Sequence, residues 1–156
     1  MRRYVFVLCG QWDQAEEVAA EAMLKAWRGR AGFDGRADAR TWIFTIARNQ
    51  WLDCLRQQRR RPRMQTMDES LQLPVSGPPP PASAGHAELA EAVRAAVARL
   101  PGEQAEVLAL RESRGLTFAQ IAALLGIPVA TAKSRARYAL LKLAEELRPF
   151  GPEAKS

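Results

Sequence analysis

The sequence predicts an all-α chain: two small helical domains joined by a flexible, proline-rich linker, the C-terminal domain carrying a helix-turn-helix. Three observations predict it. Apolar residues recur at helical spacing on both sides of a central stretch, Met64–Gly85, whose composition changes abruptly. The segment Thr117–Tyr138, TFAQIAALLGIPVATAKSRARY, spells two short helices meeting at a tight corner. No alternating strand pattern and no solenoid-length repeat runs through the 156 residues. The expected divisions are 1–63, a linker at 64–85, and 86–148.

Bulk properties narrow the function. A net charge of +6 and a pI near 10.0 favour a polyanionic partner. No apolar run is long enough to cross a bilayer, and MRRYVFVLCG lacks the small-residue cleavage site of a signal peptide. Cys9 and Cys54 stand in no metal or redox spacing, which suits two thiols in a reducing cytoplasm. With His86 as the single histidine, a His-based catalytic centre or a multi-ligand zinc site is not expected, and no cofactor is implied.

In chain order, Arg2–Cys9 reads as a short helix closed by Gly10. Asp13 and Glu16 are placed to cap the next helix, with Ala15, Val18, Ala19, Ala22, Met23, Ala26 and then Trp27 along its apolar side. Its other side holds Glu16, Glu17 and Glu21, either a solvated face or an acidic docking surface. Gly29–Asp38 has loop chemistry. A long helix then runs from about Ala39 to Arg61, with Trp42, Ile43, Ile46, Ala47, Trp51 and Leu55 apolar. Thr41, Thr45, Arg48, Asn49, Asp53, Arg56 and Arg60 form its polar face. Between Arg28 and Arg63 ten basic residues face three acidic ones. Arginine interleaved with aromatics suits unpaired bases, which stack on rings while cations follow the backbone; Trp42 and Trp51 themselves fit the core better than a base platform.

Met64–Gly85 has no Lys or Arg, and it carries Pro74 and the run Pro78–Pro81. Extended at about 3.1 Å per residue it would span roughly 60–70 Å, a tether between separated sites or a plain spacer. Helix resumes at His86–Leu100, with Leu89, Val93, Val97 and Leu100 in register. Pro101 opens another helix, Glu103–Arg111, in which Val107, Leu108 and Leu110 are apolar. Together with the corner segment these make a four-helix unit.

Within the corner, Thr117 and Gln120 have the spacing of a capping box. Ile121, Leu124 and Leu125 give the first helix a buried face, Gly126 suits a left-handed terminator, and Pro128 starts the second helix. That second helix carries Lys133, Arg135, Arg137 and Lys142, with no acid between Val129 and Lys142. Ala132, Ala136, Leu140 and Leu143 form the expected inner stripe. Ala130, Thr131, Ser134, Arg137 and Tyr138 point outward, with Lys133 and Arg135 on the shoulders. Small residues permit approach to a major groove, hydroxyls and Arg offer donors to base edges, and flanking cations meet phosphates. A helical hairpin with a solvated basic face is the plainer alternative; cap, glycine corner, proline start and acid-free face together favour DNA.

These blocks resemble, in order and separation, a bacterial RNA polymerase sigma factor of the extracytoplasmic-function group, the minimal two-domain type of the sigma-70 family. The likeness rests on DQAEEVAAEAMLKAW (Asp13–Trp27), RTWIFTIARNQWLDCLR (Arg40–Arg56), LPGEQAEVLALRE (Leu100–Glu112) and LTFAQIAALLGIPVATAKSRARYALLKL (Leu116–Leu143). It implies that the first domain docks on core polymerase through the helix bearing Glu16, Glu17, Glu21 and Trp27. The same domain would trap the melted −10 element, with Asn49 and Asp53 near the pocket for a flipped base. Arg48, Arg56 and Arg60 would serve the adjoining strand. The second domain would read the −35 duplex through Thr131, Lys133, Ser134, Arg135, Arg137 and Tyr138. The resemblance further implies promoter DNA and core polymerase as partners, an anti-sigma factor as regulator, and a cytoplasmic protein that is not itself an enzyme and does not insert in the membrane. Three departures stand out: the family carries a further helix ahead of the segment matching Arg2–Cys9, its aliphatic-aliphatic-Gln run is here Val18, Ala19, Ala20, and its early recognition-helix glycine is Ala130. An N-terminally reduced relative that no longer initiates, a free-standing helix-turn-helix regulator and a nuclease are the competing readings. The last two leave the arginine-rich helix unexplained or lack clustered carboxylates.

Overall fold

The computed structural model describes residues 1–60, 84–113 and 115–150. The expected linker up to residue 83 and the basic run Arg61–Arg63 lie outside the described residues. Seven α-helices and no strand are found among those described: α1 (Arg2–Cys9), α2 (Trp12–Gly29), α3 (Ala39–Arg60), α4 (Ala84–Ala98), α5 (Gly102–Glu112), α6 (Phe118–Leu125) and α7 (Val129–Glu146).

Local chemistry sets the ends. Gly10 takes the left-handed conformation (φ 74°) and its N–H bonds the Phe6 carbonyl, so α1 stops there. The N-cap of α2 is Gln11, with no side-chain cap; Asp13 sits in the first turn, where its charge favours the helix dipole. Glu16 does not cap either, because its carboxylate is held by Arg2 at 2.7 Å. Asp38, read from sequence as loop, caps α3: its carboxylate accepts the Arg40 N–H at 2.9 Å. The loop before it contains a 3-10 turn at Arg30–Gly32, and Phe33 packs on the Trp42 ring with centroids 4.9 Å apart. α4 begins at Ala84, so Ala84 and Gly85, read as the end of the linker, are helical.

The helix-turn-helix forms as its sequence dictates. Thr117 Oγ1 accepts the Gln120 N–H at 3.2 Å, and the Gln120 side chain accepts the Thr117 N–H at 2.8 Å. Gly126 adopts φ 66° and ends α6, and Pro128 is the N-cap of α7. Arg111 braces the approach to this corner by donating to the Leu116 carbonyl at 2.8 Å while its guanidinium lies over Phe118.

Three apolar stripes differ from expectation. In α2, Ala15, Val18, Ala19, Ala22 and Ala26 are buried, but Met23 (51% exposed) and Trp27 (65%) are not. In α7, Ala132, Ala136 and Ala139 are buried while Leu140 is 56% exposed. In α3 the buried residues are Thr41, Phe44, Ala47 and Trp51; Trp42, Ile43, Ile46 and Leu55 are half-buried. A step of four residues turns a helix by about 400°, so a stripe drawn only in fours drifts by about 40° per step. Alternating steps of three and four hold the face, which brings in Ala139 and Phe44 and turns Leu140, Met23 and Trp27 away. Leu89 and Val93 are also exposed, because α4 rests on α7 near its C-terminal half, where Ala96 is buried.

The two groups of helices share one core. α1 packs on α2 and α3 on one side and on α5 on the other, while α3 also meets α6. Tyr4, Val5, Phe44, Ala47 and Trp51 therefore lie in the same apolar cluster as Val107, Leu110, Leu116 and Ile121. Val7 reaches a second cluster formed by Leu100, Ala105, Leu108 and Ala139.

Candidate nucleic-acid interface

On α7, Lys133, Ser134, Arg137 and Tyr138 are exposed and Thr131 is half-buried. The Ser134 hydroxyl donates to the Thr131 carbonyl at 3.0 Å, which keeps its lone pairs outward. The buried alanines on the opposite face bring α7 close to α5 and α6, so the polar stripe projects as a ridge. Arg135 is different: on the shoulder nearest α5, it pairs with Glu103 at 2.5 Å. Lys133, on the other shoulder, borders an apolar groove with Phe118, Arg137, Leu140 and Leu141.

On α3, Asn49, Asp53, Arg56 and Arg60 follow steps of four, three and four and so share a face. Asn49, Arg56 and Arg60 are exposed and Asp53 is half-buried. Arg56 pairs with Asp53 at 2.6 Å, an exposed contact weak enough for phosphate to displace. Arg48 is turned off this face and donates Nε to Glu106 of α5 at 2.9 Å. Thr41 is buried rather than part of the polar face, with its hydroxyl oxygen unpartnered. Trp51 belongs to the core, and Trp42 packs between Phe33 and Gly29. Neither tryptophan is an open platform for a base.

On α2, Glu16 is engaged by Arg2, while Glu17 and Glu21 line a polar cleft against α3 with Gln50, Cys54 and Gln57. Lys25 donates to Gln50 across the same pair of helices. Outward, α2 shows Met23, Leu24 and Trp27, with the Arg30 guanidinium 3.9 Å from the Trp27 ring centroid. Of this exposed strip only Trp27 was named from the sequence as a docking residue; Leu24 was missed and Met23 was placed on the apolar side, where the angular drift of the stripe was the signal available. Burial pushes the Cys54 thiol up, with Glu17 and Asp53 adding to it, and burial does the same to Cys9, so neither is a ready nucleophile.

Residues 1–61 match the Sigma-70 region 2 family, and residues 90–143 match Sigma-70, region 4. The extracytoplasmic-function RNA polymerase sigma factor SigL of Mycobacterium tuberculosis is 36% identical over 150 residues, covering 96% of this chain and 83% of the relative. The chain belongs to the extracytoplasmic-function sigma factors. The sigma factor RpoE of Cereibacter sphaeroides is 37% identical over 137 residues, covering 86% of this chain and 73% of the relative. EcfG of Rhodopseudomonas palustris is 31% identical over 158 residues, with 98% and 84% covered. Among solved structures, RpoE of Bartonella quintana, in complex with the anti-sigma factor NepR, superposes at TM-score 0.71 and 26% identity. It covers 94% of this chain and 89% of that one. For this sigma factor, then, α1–α3 fall in the region 2 match, and the helix-turn-helix of α6 and α7 lies in the region 4 match. Among the described residues no helix is long and apolar enough to cross a membrane.

Proposed function

We propose that this sigma factor directs core RNA polymerase to specific promoters with three surfaces of one chain. α2 docks on polymerase through Trp27, Met23 and Leu24, with Glu17 and Glu21 beside them. The α3 stripe of Asn49, Asp53, Arg56 and Arg60, joined by Arg48, captures the melted −10 strand. The α7 ridge of Thr131, Lys133, Ser134, Arg137 and Tyr138, with Arg135 at its shoulder, reads the −35 duplex. The observation that carries this reading is the presence of both region matches, in order, on a chain whose α7 ridge has no acid from Val129 to Lys142.

The chain works as a subunit, not an enzyme: it lends sequence recognition and strand capture to a machine that makes the bonds. Extruding a base from the duplex costs a few kcal/mol. Guanidinium contacts to phosphate and polar contacts to the flipped base offset that cost. The functional divisions are 1–63 for docking and the −10 element, 64–85 as linker and 86–148 for the −35 element. The protein acts in the cytoplasm, where polymerase and promoter are, and an anti-sigma factor regulates it; the likeness to RpoE bound to NepR supports that partner.

Run-off transcription with purified core polymerase and a mixed promoter library tests the proposal. Discrete products that require this chain are expected. Tight binding to palindromic duplex without polymerase, and no run-off product with it, would instead mark a free-standing regulator.

A further inference from the structure

We propose that Glu103, at the start of α5, is a specificity residue: by holding the Arg135 guanidinium it withholds that cation from the phosphates of unmatched duplex and keeps it for the matching −35 element. The inference rests on the reading of α7 as the −35 probe and deepens it. The meeting of the two side chains does not depend on that reading.

The stretch from Val129 to Lys142 carries Lys133, Arg135, Arg137 and Lys142 and no acid of its own. Among the described residues, Arg135 alone of these has an acidic partner, and α5 delivers it: Arg135 Nη2 lies 2.5 Å from Glu103 Oε2. The pair is lopsided, with the Arg135 side chain 24% exposed and that of Glu103 72%. The cation is therefore laid along the shoulder of α7 while the anion stands in solvent beside it. Ala105 and Leu108 of α5 share a buried cluster with Ala139 of α7, which fixes the start of α5 against this shoulder. Lys133 and Arg137, by contrast, stand exposed.

A guanidinium has more N–H donors than one carboxylate occupies. With Glu103 bound, Arg135 keeps donors for an acceptor directly ahead of its fixed position, and the matching element in register supplies one. On another sequence the ridge sits off register, and a phosphate must displace Glu103 to reach the cation. Non-specific binding draws its affinity from free cations that release counterions, so a cation withheld in this way weakens the wrong complex more than the right one. Specificity is a difference of affinities, and an element that acts against the wrong partner raises it as a new attraction does.

The test uses the full chain bound to core polymerase. Closed complexes are formed in the cold on a labelled promoter and on the same promoter with its −35 element scrambled. Fluorescence anisotropy across a salt series gives both affinities and their salt slopes. Glu103→Gln keeps the size of the side chain and removes its charge, and Glu112→Gln makes the same change at the exposed far end of α5. Glu103→Gln should bind the scrambled promoter about threefold or more tightly, with a salt slope steeper by about 0.9, and change the matched promoter by less than about twofold. Glu112→Gln should keep the wild-type ratio of the two affinities. Placed on Arg135→Ala, Glu103→Gln should change neither affinity. Equal gains on both promoters overturn the proposal, as does an unchanged salt slope on the scrambled one. So does a Glu112→Gln gain equal to that of Glu103→Gln, or a Glu103→Gln effect that survives in Arg135→Ala, which would mean that the carboxylate acts on phosphate by itself. A wild-type ratio near one would remove the reading of α7 and this proposal with it. A high wild-type ratio left unchanged by Glu103→Gln sinks the proposal alone.

Discussion

The Thr117 hydroxyl satisfies a backbone donor that would otherwise face water at the start of α6, and Gln120 returns the favour. Replacing Thr117 by Ala should lower stability by about 1 kcal/mol, read as a lower urea midpoint at unchanged slope. A midpoint equal to wild type would mean that packing alone fixes the corner. This cap was legible because both partners lie within four residues. Asp38 was not recognised as the α3 cap, since it follows a glycine-rich loop, whereas Asp13 and Glu16 looked like caps and are not. Side-chain chemistry alone gives candidates; which of them caps depends on the backbone angle at which the chain enters the helix. Arg48 shows the limit more sharply. It falls on the polar side of α3 in sequence, yet its partner is Glu106, 58 residues on, and no local pattern encodes that meeting.

At the scale of helices, existence and order were legible and faces less so. Periodicity located all seven helices described, but stripes stepped in fours rotated Leu140, Met23 and Trp27 into the core on paper and out of it in the fold. The consequence is functional, since it turns part of an expected apolar face of α2 into the exposed strip assigned to polymerase docking. On α7, Ser134, Arg137 and Tyr138 stand exposed as read, because Ala132 and Ala136 mark the buried side, while Thr131 is half-buried. Arg137→Ala should therefore weaken binding to −35 duplex by about 1–3 kcal/mol while leaving affinity for core polymerase unchanged. A parallel loss in a polymerase pull-down would contradict that assignment. On α3, Asn49→Ala should reduce open-complex formation, seen as permanganate reactivity, more than closed-complex binding in a gel shift. Equal losses in the two assays would place Asn49 outside the strand pocket.

At the scale of the molecule, the sequence pointed to two helical modules on a tether, and the fold packs them together around α1. That packing was illegible because the apolar residues of α1 look like those of any short helix; only the fold shows Tyr4 and Val5 against the second half. Burial, reinforced by the Glu106 carboxylate, pushes the Tyr4 phenol far above its ordinary value of 10.0, with Arg48 pulling weakly the other way. A raised value means that the folded state holds this proton more tightly than the open one. The stabilisation is thus complete below about pH 10 and lost as pH rises above that value. In a Tyr138→Phe chain, where Tyr4 is the remaining tyrosine of the two, absorbance at the phenolate band should rise only well above pH 10.0. A transition at the ordinary value would show that Tyr4 is open to water. The central claim, one chain reading two promoter elements from a polymerase scaffold, is tested most directly by run-off transcription from one selected promoter with its −35 and −10 elements moved apart base pair by base pair. A single optimum, with output falling about tenfold or more a few base pairs to either side, is expected from contacts worth at least 1.4 kcal/mol. Output that ignores the spacing, or that persists without this chain, would contradict the account.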